Sequence, residues 1–215
     1  MNDMRQMTAL GRRIEDESFA IIDREVGAHT LPPAAWHVVR RVIHATADFE
    51  FLHLVHVHPD AIASGIAALR AGRPVIADVK MIAAGVSEER LAARGSALRS
   101  YISDDDVIAA AQASGSTRAI ESMRKAHRLG ELDGAIVAIG NAPTALLEIV
   151  RLAREEGVRP ALVVGVPVGF VSAAESKDAL IASGLPSIVA RGRKGGSPVA
   201  VAILHALLLL TTEAP

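Results

Sequence analysis

Ala135–Val150 reads AIVAIGNAPTALLEIV. Ala135–Ile139 is an unbroken apolar run, the mark of a strand buried on both faces. Gly140-Asn141-Ala142-Pro143 ends it, and a helical pattern continues to Glu155. The same unit returns twice. Ala161–Gly165 is followed by Val166-Pro167-Val168-Gly169 and a helix from Ser172, and Ser187–Ala190 by Gly192–Gly196 and the C-terminal helix. Strands alternating with helices of crossover length predict an α/β fold. It is a three-layer α/β/α sandwich with a mostly parallel sheet.

In such a sheet the ligand crevice lies outside the carboxyl ends of the strands. The loops at Gly140, Gly165–Gly169 and Gly192–Gly196 each follow a strand and therefore share one edge. Each opens a helix whose first N–H groups lack an internal partner, so together they predict a receptor for a polyanionic ligand. Taken singly, each glycine does no more than make a turn.

Upstream, Met7, Leu10, Ile14, Ile21 and Ile22 predict an amphipathic helix over Met4–Val26, stopped by Gly27. Pro32 and Pro33 open a second helix to about Thr46. Its apolar stripe is Ala35, Val38, Val39, Val42 and Ile43, and its polar face carries His37, Arg40, Arg41 and His44. After Phe51 the period changes to a strand at Leu52–Val57, a helix at Ala61–Ala71 and a strand at Pro74–Ala77. Short helices at Lys80–Ala84 and Glu88–Ala93 precede a third strand, Ala97–Ile102. Ser103 and Asp106 form a capping-box pattern for the next helix, which ends near Ser114-Gly115, and another starts around Thr117. No repeat or linker splits the chain, so residues 1–215 are read as one domain, with N-terminal helices 4–46 packed on an α/β sandwich 52–215.

Half of the 215 residues are apolar and the net charge is -1. That balance argues against a nucleic-acid partner, whose surface would be basic. Six aromatics, from Trp 1, Tyr 1 and Phe 4, leave little to stack bases or to sandwich a flavin. With no cysteine there is no disulfide, thiolate metal site or cysteine nucleophile. The N-terminus lacks an apolar signal core. The longest apolar run, Pro198–Leu210, is interrupted by His205 and is too short to span a bilayer. A cytoplasmic protein with no membrane partner is the expectation.

Several residues invite a functional reading, each with a plainer alternative. His44 stands one turn after Arg40 and Arg41, which would lower its pKa or collect acidic groups of a substrate; alone it reads as a solvated helix residue. His53, His56 and His58 lack a carboxylate at ligand spacing, so no metal site is assigned. Arg118, beside Ser116 and Thr117, suits carboxylate recognition, or is a surface arginine. Arg191–Gly196 is basic and glycine-rich but lacks the lysine-hydroxyl pair of a phosphate loop. Neither a dinucleotide fingerprint nor a nucleophile elbow is present.

Taken in order, Ser18–Ile22 (SFAII), Val39–Phe51 (VRRVIHATADFEF), Asp78–Val86 (DVKMIAAGV), Gly115–Ile120 (GSTRAI), Ala138–Leu146 (AIGNAPTAL), Gly165–Leu180 (GVPVGFVSAAESKDAL) and Ala190–Ala200 (ARGRKGGSPVA) span nearly the whole chain. This set resembles the precorrin-8X methylmutase family, with its cobalt-precorrin-8 branch, of corrin biosynthesis. The resemblance implies a flavodoxin-like fold, a homodimer, and migration of a methyl group from C-11 to C-12 of the ring as a 1,5-sigmatropic shift, without methyl donor or cofactor. It puts the catalytic histidine at His44 and substrate contacts at Ser18, Ser87 and Arg118. Some members carry histidine and threonine where this chain has Ala84 and Ser87.

The residue chemistry agrees with that reading. A tetrapyrrole fringed with carboxylates needs many anion receptors and few aromatic clamps, which suits the glycine loops with Asn141, Arg118 and Lys177. A sigmatropic shift needs a proton placed on the conjugated system, and a histidine can give and retake it near neutral pH. The rival from another class is a non-catalytic tetrapyrrole carrier using the same pocket.

Overall fold

Side-chain alternation along four short parallel strands sorts the core into two halves, in a computed structural model that describes residues 8–212. The N-terminal part is α1 (Ala9–Val26), α2 (Pro33–Thr46) and the single turn α3 (Phe51–Leu54). The middle is β1 (Val55–Val57), α4 (Ala61–Arg70), β2 (Val75–Ala77), α5 (Lys80–Gly85), α6 (Glu88–Ala92), β3 (Leu98–Arg99), α7 (Asp105–Ser114) and α8 (Arg118–Arg128). The last third is β4 (Ile136–Ile139), α9 (Pro143–Glu155), β5 (Leu162–Gly165), α10 (Ala173–Ala182), β6 (Ser187–Ala190) and α11 (Ser197–Leu210).

The sheet order is β1-β6-β5-β4-β2-β3. Strands β2 to β6 are mutually parallel, and β1 runs antiparallel to β6 at the edge, with Val55 opposite Ala190. The parallel part has the doubly wound order of flavodoxin-like sheets, with its reversal between β2 and β4. Val75, Ala77, Ile136, Ala138, Leu162 and Val164 face a core shared with α2, α4 and α11. Ile76, Val137, Ile139 and Val163 face the opposite core, shared with α8, α9 and α10. This is the expected three-layer α/β/α sandwich.

Four expectations are corrected. Leu52–Leu54 is part of a helical turn, not strand, because the Asp48 side chain accepts the Glu50 N–H and Phe51 tucks into the core. The third strand shrinks to Leu98–Arg99, since only β2 is beside it and Arg99 and Tyr101 both turn to Glu131. Asp104, not Ser103, stands at the start of α7, and its carboxylate goes to Lys125 of α8 at 2.8 Å instead of capping. Finally, α1 turns Ile22 and Glu15 inward but leaves Leu10, Ile14 and Ile21 exposed, so most of its expected apolar stripe meets no core of its own. Met4–Met7 of that expected helix lie outside the described residues.

Asp78 stands directly after β2, at the reversal of strand order, and is fully buried. Its carboxylate accepts the N–H groups of Gly140 (3.1 Å), Asn141 (2.9 Å) and Ala142 (2.7 Å). Burial pushes the carboxyl above its usual range, and the three N–H bonds pull against that shift. The loop opening α9 is therefore filled from within. Asp78→Asn would offer one oxygen to three donors and turn an amide NH2 against them. It should lower unfolding stability by about 2–4 kcal/mol, read from the urea midpoint; an unchanged midpoint would show that the loop holds itself.

Candidate active site

The site is built from α2 outward. Pro33 at the first turn of α2 sets its direction, and Val38, Val39, Val42 and Ile43 bury one face against α11. The other face must therefore present Arg40, Arg41 and His44 to α1, and ion pairs fix them there. Arg40 reaches Asp23 and Arg41 reaches Glu15, both at 2.8 Å. Phe19 of α1 lies among the three, with its ring 5.0 Å from the imidazole of His44, 4.5 Å from the Arg40 guanidinium and 5.3 Å from that of Arg41. His44 itself is exposed, on the last turn of α2.

A pocket of about 360 Å³ opens beside it, lined on one wall by Arg41, His44 and Ala45 of α2 and on the others by α5 and α11. Met81 and Gly85 are the α5 contribution, and Val201 and His205 the principal α11 one. Gly85 has no room for a side chain, because a Cβ there would sit 2.7 Å from Val201. Partial burial, then the neighbouring Arg41 charge, lower the pKa of His44, with Glu15 pulling the other way. The imidazole is thus mainly neutral at neutral pH in the free protein, and once protonated is a stronger acid than an ordinary imidazolium.

The loops on the carboxyl edge brace this corner. Lys194 binds Asp48 at 2.5 Å and Glu50 at 2.9 Å, which anchors the chain just after α2. Gly169 N–H donates to Arg193 O, and Gly196 N–H to Val166 O, so the loops after β5 and β6 are tied together. Adjacent parallel strands do place the three glycine loops on one edge. However, the N–H groups of Gly140, Asn141, Ala142, Gly169 and Gly196 already have protein acceptors and are not open anion receptors.

The other expected site residues fall as follows. Ser18 is half-buried next to Phe19 on α1, and its hydroxyl donates to Ile14 O at 2.7 Å. Ser87 caps α6 by accepting the Arg90 N–H, two residues beyond the pocket wall at Gly85. Arg118 is exposed at the first residue of α8, and Asn141 is exposed before α9. Thr117 and Thr144 meet at 3.1 Å and hold those two helix starts together. The Cα of Ser197 passes 2.9 Å from where a Cβ of Gly140 would sit, and Ser197 lines the His44 pocket. The two groups therefore adjoin across Gly140.

Lys177 is placed differently from the expectation. It is 0% exposed, and its ammonium donates to the carbonyls of Gly192 and Lys194 at 2.8 Å each. Burial lowers its pKa to about 8. It is a strut under the β6–α11 loop, and a substrate carboxylate would have to displace those carbonyls to reach it. Two of the three histidines of the Leu52–His58 stretch have local partners: His56 lies 3.3 Å from Arg191, and His58 accepts the Asp60 N–H. Among the described residues no His, Cys, Asp and Glu group is arranged to hold a metal, and no helix is long and apolar enough to cross a membrane. Sequence reasoning missed Phe19, Glu15, Asp78 and Met81. Of the site residues it passed over, only His205 left a signal, as the single interruption of an apolar helix.

Residues 13–210 match the family model described as CbiC, precorrin-8X methylmutase. The chain is 54% identical over 98% of its length, and 98% of the relative's, to the cobalt-precorrin-8 methylmutase of Leptospira interrogans. It is 48% identical to the cobalt-precorrin-8 methylmutase of Priestia megaterium, over 97% of this chain and 92% of that one. A crystal structure of precorrin-8X methylmutase from Thermus thermophilus superposes with a TM-score of 0.87 at 46% identity, covering 94% of this chain and 98% of that one. With this match over most of its length and a histidine-mouthed pocket on the same fold, the chain belongs to the precorrin-8X methylmutase family.

Proposed function

We propose that this protein moves a methyl group from C-11 to C-12 of cobalt-precorrin-8, or of metal-free precorrin-8X, with His44 as the proton donor. The isomerase class and the place in cobalamin biosynthesis go with the family. The cobalt form is our first choice because the relatives from Leptospira and Priestia are both named for it. The observation that carries the reading is His44, exposed at the mouth of a mostly apolar pocket and backed by Arg41. A macrocycle edge resting there would meet an imidazole able to donate a proton, which is what a proton-assisted migration needs.

Ser18, Ser87, Arg118 and Asn141 are our proposed substrate contacts, each for a polar group of one large ligand that extends beyond the His44 pocket. Lys177 supports this set from beneath. A cytoplasmic homodimer completes the proposal. Its support is the exposed stripe of Leu10, Ile14 and Ile21 on the helix that also carries Ser18 and Phe19. A second copy would cover it.

The direct test incubates the protein with each substrate form and follows absorbance and mass. The expected result is a changed spectrum at unchanged mass, with no methyl donor added. Binding without spectral change would mark a carrier instead. His44→Ala and His44→Asn should both slow a single turnover by about a hundredfold or more while still binding the pigment, because neither can donate a strongly acidic proton. His44→Asn at near the parent rate would reduce His44 to a positioning group.

The pH profile has a definite sign. The acid must be protonated, and its pKa is lowered. Accordingly kcat/KM, which reports the free enzyme, should fall as pH rises through a value below about 6.5. A flat profile there would remove the acid role. Arg118→Ala should weaken substrate binding more than it slows the bound-state step, since a contact remote from the migrating methyl adds mostly uniform binding. A large fall in single-turnover rate with unchanged affinity would contradict that.

A further inference from the structure

α11 is apolar from Pro198 to Leu210 except at His205. This imidazole is half-buried in the lining of the pocket that His44 opens. Its Nε2 is hidden from water and has no hydrogen-bond partner. The Nε of Arg41, in the lining of the same pocket, is likewise hidden and unpartnered, although the other end of its guanidinium holds Glu15. A buried polar atom left without a partner is destabilising, and two in residues lining one small cavity are a costly way to fill a core. The cost is offset if something enters and pairs with both.

The geometry points to a subsite for one carboxylate arm of the substrate, held between Arg41 Nε–H and an Nε2–H of His205. This rests on the tetrapyrrole reading above. The dimensions decide what can enter. At about 360 Å³ the cavity is far too small for a tetrapyrrole macrocycle but has room for a peripheral acetate or propionate. The walls suit the methylenes of such an arm, being Val201, Ala202, Pro198 and Ala45 with the exposed side chain of Met81. Met81 is unbranched and is the wall best able to turn aside for an incoming group. Among the described residues these two nitrogens are the hidden, unpaired ones of that lining, so an arm reaches them only as the lining gives way, and a carboxylate oxygen, with two lone pairs, has the capacity to accept from both.

The groups facing His205 fit this role. Arg41 from α2 and Arg90 from α6 bear on it with positive charge, Glu15 from α1 opposes them, and His44 shares the pocket. Burial first, then the Arg90 and Arg41 charges, lower its pKa to about 4 against the pull of Glu15, so the ring is neutral near neutral pH. A neutral imidazole carries one N–H and can place it on Nε2 toward an anion without importing a second charge. Anchoring one arm here fixes how the ring edge lies against His44 at the mouth. His205 is therefore a positioning residue, one helix away from the proton donor.

The test is a pigment titration with parent, His205→Phe and His205→Gln proteins, using the substrate and a derivative with its peripheral acids converted to amides. His205→Phe should bind substrate at least tenfold more weakly with a thermal midpoint no lower than the parent's, because it removes an orphaned polar atom from the core. The tenfold gap should shrink for the amide derivative. His205→Gln, whose amide N–H reaches near the Nε2 position, should recover most of the affinity. Unchanged affinity in His205→Phe, or equal losses for acid and amide ligands, overturns the subsite. Should His205→Phe not fold, an unrecovered loss in folded His205→Gln overturns it equally. If the parent protein binds no tetrapyrrole at all, it is the functional reading that fails, and the parent arm alone reports this.

Discussion

A carboxylate in the middle of the protein, Asp78, takes three consecutive N–H groups of the loop that opens α9. In flavodoxin-like sheets this is the crevice where strand order reverses and where a ligand's anionic group is usually received. Here the fold supplies the anion itself. The consequence runs through the whole site. With the central crevice filled, the loop is fixed hard against Ser197, and Gly140 can have no side chain because the backbone there passes at 2.9 Å. The pocket beside His44 lies instead to one side, between α2, α5 and α11.

The second constraint is a chain of cationic struts. Lys177 holds the carbonyls of Gly192 and Lys194 from below, and Lys194 holds Asp48 and Glu50 from the far end of the same loop. A basic, glycine-rich loop that looks made for phosphate is therefore largely committed to internal contacts. What it positions is the end of α2, and with it His44. The pocket's shape thus depends on the side chain of a residue that never touches it.

The sequence made some of this legible, for identifiable reasons. β4, β5 and β6 were readable because strands buried on both faces are apolar without interruption, and glycine or proline ends each run. α2 was readable because its two prolines and its stripe agree. β3 was not, since an edge strand of two residues carries too short a pattern. The polar face of α2 pointed to His44, but its tilted ring contact with Phe19 depends on how two helices cross, which spacing does not encode. Lys177 was misjudged because lysine in a run of small and polar residues suggests exposure; only tertiary packing shows that the helix turns it inward. Asp78 passed unnoticed because its partners lie more than sixty positions away in the chain.

The pairing of β1 with β6, and the packing of α2 on α11, join stretches that are far apart in the chain. The bond between Lys194 and Asp48 spans 146 residues. On a ribosome, α1 and α2 emerge well before α11, and the apolar stripe of α2 lacks its main partner until α11 is out. A nascent chain can begin to assemble β2, β4 and β5, with α8 and α9 behind them, while the helix bearing His44 still waits with its apolar face bare. The histidine meets its pocket only once α11 has been made. Truncated products therefore carry the reactive residue without the cavity that gives it meaning, and their uncovered α2 stripe is a ready target for chaperones.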